Sequence, residues 1–237
     1  MIENFENYNL TQEKYIDKNV TVKSYITHVF SWMFFALGLT AVIAYWFASS
    51  HNLLNLLYTE TGISGLGWVI TFAPLGLVLL MSFGYEKLSL PAIGGLFVLY
   101  SILMGMSLST IFLIYSIRSI VITFAVTGGM FGIMAITGYT TKMDLSKFGS
   151  IMFMGLIGII LASIINLFAR SQSLDYIVSF IGVLVFTGLT AYDVQKLKYI
   201  GEIQKDNRKS AILGALTLYL DVINIFLFLL RFLGNRR

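Results

Sequence analysis

The sequence predicts an all-α, polytopic membrane protein with seven transmembrane helices in a single domain, and three observations lead there. Hydrophobic residues make up 57% of the 237-residue chain and charged residues 12%, with a mean hydropathy of +0.81, a composition that excludes an ordinary soluble domain. Apolar runs of about 18 to 23 residues recur, each long enough for a hydrocarbon core about 30 Å thick. Between them the loops are short, and lysines and arginines are unevenly divided between the two sides, as in proteins oriented by loop charge.

The elements follow in order. Residues 1–25 are polar and of mixed charge, without the short apolar core and small-residue cleavage site of a signal peptide, so the first span is expected to stay as an anchor. The spans then read as 26–49, 66–83, 92–115, 119–138, 148–168, 176–195 and 211–233, together forming the single domain 26–237. Lys23 precedes the first, Lys87 follows the second, Arg118 precedes the fourth, and Lys142 and Lys147 separate the fourth from the fifth. Arg170 follows the fifth, and a charged loop from Lys196 to Ser210 joins the last two. With the N-terminus inside, the inner segments carry eleven Lys and Arg and the outer ones five, so the N-terminus is expected to be cytoplasmic. Arg231, Arg236 and Arg237 run against that rule; a re-entrant seventh segment would return them inside, and the side of the C-terminus stays open.

Several chemistries are excluded or disfavoured by what the chain lacks. There is no cysteine, so disulfides, thiolate chemistry and cysteine-ligated zinc are ruled out, and two histidines, His28 and His51, leave little for a transition metal. His28, at the start of the first span, reads as interfacial. No cofactor is expected, and the net charge of +4 is better read loop by loop than as affinity for nucleic acid. Gly128, Gly129 and Gly132, and Gly155, Gly158, Ala162 and Ser163, read as small residues that let helices approach closely.

Two acids stand out. Asp193 in GLTAYDVQK and Asp221 in LTLYLDVIN lie within the last two spans, where an ionised carboxylate costs roughly 2.5 to 3.5 kcal/mol even on insertion scales and marks a pathway or relay. In the seventh span Gly214, Thr217, Asp221, Asn224 and Arg231 share one helical face, and in the sixth Gly182, Phe186, Thr190 and Asp193 fall in a narrow arc. The two spans run antiparallel, so the acids can meet. At about 4 Å two carboxylates repel by about 4 kcal/mol at an effective dielectric near 20, and such a pair titrates as a unit, with a proton event expected near neutral pH. Separate structural acids, each hydrogen-bonded to a hydroxyl or capping a helix, are the alternative. Arg231 lies near the outer end of the last helix, where Glu60 of the first outer loop is a candidate ion-pair partner, and Asn166 and Arg170 read as interhelical bonding and interfacial anchoring.

Calcium prefers six to eight oxygen ligands, so Asp193 and Asp221 would need Thr190, Thr217, Asn224, carbonyls or water to complete a weak Ca2+ site. Weak binding suits conduction, because an ion must leave as readily as it enters. An intramembrane aspartyl protease also places one aspartate in each of two neighbouring spans, with a tyrosine before the first, as in Tyr192 and Asp193; however, Leu218, Tyr219 and Leu220 stand where its second motif needs glycines, and no Pro-Ala-Leu segment follows. The late spans have no lysine at depth for a retinal, and no span has a mid-depth histidine for a serine protease.

The run INLFARSQSLDYIVSFIGVLVFTGLTAYDVQKLK, followed by ALTLYLDVINIFLFLLRFLG, resembles the bacterial branch of the Bax inhibitor family, also called the transmembrane Bax-inhibitor-motif family, across essentially all seven spans. The resemblance implies two layers of three helices around a central seventh, a pH-sensitive calcium leak, and a multi-pass place in a bacterial cytoplasmic membrane. It puts the family's paired acids on Asp193 and Asp221 and its outer arginine on Arg231, with calcium ions, protons and the bilayer as partners and no enzymatic activity. Some bacterial relatives imply a different role, an interaction protein that modulates a membrane protease or another membrane partner. One departure stands out: the second span has no Arg or Lys to latch the acid pair, so either that contact is absent or Lys87 just beyond it substitutes.

Overall fold

The computed structural model describes residues 22–59, 62–203 and 208–235 with their side chains and the backbone of 2–21. The helices are α1 (Ile2–Ser49), α2 (His51–Leu57), α3 (Gly65–Phe83), α4 (Leu90–Leu108), α5 (Ile111–Ile114), α6 (Ile117–Thr140), α7 (Ser146–Ala169), α8 (Gln172–Ile203) and α9 (Arg208–Leu233), with a two-residue hairpin of β1 (Tyr58–Thr59) and β2 (Gly62–Ile63) between α2 and α3. Among the described residues, seven helical stretches are long and apolar enough to cross a membrane: Val22–Ser49, Gly65–Phe83, Leu90–Ile114, Ile117–Thr140, Ser146–Ala169, Gln172–Ile203 and Arg208–Leu233. The chain is an integral, multi-pass, all-α membrane protein.

Helix starts follow local chemistry. Ser64, Ser89 and Ser116 cap α3, α4 and α6, accepting from the backbone N–H groups of Gly67, Ala92 and Ser119, which satisfies donors that a helix start leaves orphaned. At the far end of α7 the chain turns at Arg170 in the left-handed region, φ 49°. Asn166 holds this turn: its carbonyl accepts from Arg170 N at 2.8 Å and its side-chain Oδ1 from Ser171 N at 2.9 Å. The amide of Asn166, expected to bond between helices, thus closes a helix end instead, because a short amide beside a turn reaches its own backbone first.

Two boundaries differ from the hydropathy reading. The third span is interrupted at Ser109 and Thr110, where Ser109 Oγ donates to Met106 O at 2.6 Å and Thr110 Oγ1 to Ser107 O at 3.1 Å; the short α5 completes it. The sixth span does not stop at 195, since α8 runs on through Lys196 and Lys198 to Ile203. Charge ends an apolar run without ending a helix, and lysine is a good helix former.

Packing gives two layers. Helices α1, α3 and α4 form one, with α4 against both α1 and α3; α6, α7 and α8 form the other, with α8 against both α6 and α7. Helix α9 lies between, packed on α8, α1, α6 and α4. Its central place shows in burial: Ala215, Leu218, Tyr219 and Ile225 are fully enclosed, whereas α7 presents Ile151, Phe153, Met154, Leu161 and Phe168 outward, as lipid contact requires. Among these buried side chains, Thr40 Oγ1 of α1 bridges Ser101 O of α4 at 2.9 Å and Tyr219 OH of α9 at 2.8 Å.

Candidate functional site

The site lies where α8 crosses α9. Two glycines bring these helices close on either side of the acids: a Cβ on Gly214 would sit 2.5 Å from Leu197 Cδ2, and one on Gly182 would sit 2.7 Å from the Phe228 ring. Aspartate is a short side chain, so two of them touch across a helix pair only when backbones approach this closely. Asp193 of α8 and Asp221 of α9 lie close enough for their carboxyls to act on each other. Asp221 is 4% exposed, and its Oδ2 accepts from no donor group among the described residues. The other buried side-chain oxygens without a partner among the described residues, Ser179 Oγ and Thr187 Oγ1, both belong to α8. Unsatisfied polar groups thus gather on the two helices that carry the acids, where each costs about 1 to 3 kcal/mol if nothing binds it.

Beside Asp193 a cavity of about 260 Å³ is lined by Tyr85, Lys196, Leu197, Ile200, Ser210, Leu213, Gly214 and Thr217. It lies at the end of the bundle where α8 finishes and α9 begins. Lys196, one turn beyond Asp193 on the same helix, acts on it by charge and stands over the Tyr192 ring at 6.0 Å. The loop after the second span contributes Tyr85 to this cavity, while Lys87 is exposed and takes no part in its lining. Lys209 lies 4.4 Å above the Tyr85 ring, fastening that loop to the start of α9.

The remaining candidates sort clearly. Thr217 lines the cavity, but its hydroxyl donates to Leu213 O at 3.2 Å, that of Thr190 to Phe186 O at 2.8 Å, and the Asn224 amide to Leu220 O at 2.8 Å. All three polar groups therefore bond to their own helix one turn back, the habitual outlet for such side chains in apolar surroundings. Arg231 meets Asp175 at the start of α8, Nη1 to Oδ1 at 3.3 Å; Glu60 lies outside the described residues. Among the described residues no three His, Cys, Asp or Glu side chains converge into a metal-ion site, so any cation at the acid pair would draw on carbonyls, hydroxyls or water for its other ligands.

A family profile described as inhibitor of apoptosis-promoting Bax1 matches residues 22–237, the whole seven-span region. The chain belongs to the Bax inhibitor family. Among its family relatives, the inner membrane protein YbhL of Escherichia coli strain K12 is 50% identical over 222 residues, which cover 91% of this chain and 93% of that protein. An uncharacterized protein of Rickettsia prowazekii is 44% identical over 219 residues, 91% of each chain. An uncharacterized membrane protein of Streptococcus pyogenes is 32% identical over 225 residues, 93% of this chain and 96% of that one. Each match covers more than nine-tenths of both chains.

Proposed function

We propose that this Bax inhibitor family member is a pH-sensitive calcium leak channel of a bacterial cytoplasmic membrane, with its N-terminus cytoplasmic and Asp193 and Asp221 as its gate. The observation that carries the reading is the placement of two acids beside each other where α8 and α9 approach closely, with Asp221 buried and Asp193 in a cavity wall. Two carboxyls so placed can be joined by one shared proton. Remove it, and two charges at about 4 Å repel by about 4 kcal/mol at an effective dielectric near 20 unless a cation settles between them. The cavity at Asp193, with Thr217, Ser210 and Tyr85 in its wall, offers protons and ions a route to the pair from the cytoplasmic side. No catalysis is proposed: a substrate helix is about 10 to 12 Å across, and Leu218 and Tyr219 beside Asp221 are fully enclosed by packing.

Calcium entry into proteoliposomes between about pH 6 and 8, the window expected for a coupled acid pair, tests the proposal. Wild-type protein should pass calcium with a clear pH dependence that Asp193→Asn and Asp221→Asn abolish. Vesicles that stay calcium-tight at every pH would instead favour an interaction protein acting on a membrane partner, with the acids only fastening α8 to α9.

A further inference from the structure

A long apolar groove runs between α1 and α6 with α9 as its floor. A cavity of about 910 Å³ is walled by α1 from Lys23 to Ala41 and by α6 from Phe124 to Thr140, with Val222 beneath. A second, of about 330 Å³, shares Leu37, Ala41 and Phe124 and continues the groove to Ala44 and Phe226. At 1.5 Å per residue the stretch from Lys23 to Ala44 is about 32 Å long, close to the thickness of a hydrocarbon core. Glycines carve its walls: a Cβ added at Gly38, Gly128 or Gly132 meets nothing within 4 Å.

The lining asks for hydrocarbon. The hydroxyls of Thr27 and Thr140 are taken up by their own helices, on Lys23 O and Ile136 O, so water gains little there. Lys23 is exposed at one mouth of the groove, where the chain enters the membrane. We propose that the groove holds an anionic phospholipid of the leaflet on the Lys23 side, its acyl chain lying along Phe30, Leu37, Gly128 and Gly132 and its phosphate at the Lys23 ammonium. A second copy of the chain is the poorer occupant, because copies facing each other in the same orientation would set Lys23 against Lys23. The bound chain would touch Val222, next to Asp221, but its binding does not depend on the calcium reading.

Native mass spectrometry tests this on protein exchanged into phosphatidylglycerol or phosphatidylcholine. Wild-type protein should retain phosphatidylglycerol about five-fold better, the preference one near-surface lysine supplies. Lys23→Gln should erase that preference, and the Gly128→Leu, Gly132→Leu double variant should lose the retained lipid of either kind. Leucine favours helix over glycine and its Cβ meets nothing within 4 Å at either position, so this variant should fold, as its elution and circular dichroism will verify. Equal retention of both lipids by wild-type protein, or unchanged retention in the leucine variant, would overturn the proposal. So would efficient disulfide cross-linking of Gly132→Cys between copies in a bilayer.

Discussion

Thr40 and Tyr219 hold α1 to α9 by a hydroxyl pair 2.8 Å apart, both side chains buried at 3% and 0% exposure. Thr40 also reaches Ser101 O at 2.9 Å, so the two partners are not equivalent. Tyr219→Phe leaves Thr40 bonded to that carbonyl and should cost about 0.6 kcal/mol, the average for interhelical bonds in a membrane. Thr40→Val leaves the tyrosine hydroxyl buried without this partner and should cost more, about 1 to 3 kcal/mol. Unfolding of both variants in mixed micelles checks the order; equal costs would contradict it.

Gly138 of α6 faces the backbone of Ala191 on α8, and an added Cβ would clash with that carbonyl, whereas at Gly132 it would meet open space. Gly138→Ala should therefore destabilise the protein by about 1 to 3 kcal/mol through overpacking. Gly132→Ala should be neutral or stabilising, since alanine favours helix over glycine by about 1 kcal/mol. Thermal inactivation of the two variants reads the difference directly.

Hydropathy made the seven spans legible before the structure, because each must present about 20 apolar residues to lipid. It could not show that α8 continues past Gln195 to Ile203, where charge ends the apolar run but not the helix, or that the third span breaks at Ser109, where the helix is interrupted within an apolar run. The acids were legible for the converse reason: a charge is conspicuous where it is costly. Lys196 was visible only as one of a loop's cations, and its place in the cavity wall beside Asp193 follows from the helical extension. The partner of Arg231 was not legible either. Asp175 opens α8, and only the packing of α8 on α9 brings it to 3.3 Å.

The pair of Arg231 and Asp175 should matter little to stability. Its side chains are 40% and 31% exposed, and pairs so placed are worth about 0 to 1 kcal/mol. A double-mutant cycle of Arg231→Gln with Asp175→Asn should give a coupling below about 1 kcal/mol that shrinks as salt is added.

The loop before α7 should respond to acid. Asp144 Oδ1 accepts from Ser146 N at 2.9 Å, and the bonds from Ser146, helped by Lys147, hold its carboxyl below the usual aspartate range. Its hold on the helix start is therefore complete above the ordinary aspartate value of about 3.9 and is lost as pH falls through the lower folded value. Gln195 braces the same loop, donating from Nε2 to Met143 O at 2.7 Å and accepting at Oε1 from Leu145 N at 2.8 Å. Amide exchange at the start of α7 should stay slow down to about pH 4 and rise below it, while Asp144→Ala should be fast throughout; identical profiles would contradict this.

The proposed gate is a pair, and pairs are recognised by non-additivity. Calcium flux measured across about pH 6 to 8 for Asp193→Asn, Asp221→Asn and the double variant tests this most directly. Each single change should remove the pH dependence, and the double variant should lose nothing further. A pH-dependent flux that survives either substitution, or losses that multiply as if the two acids acted independently, would contradict it.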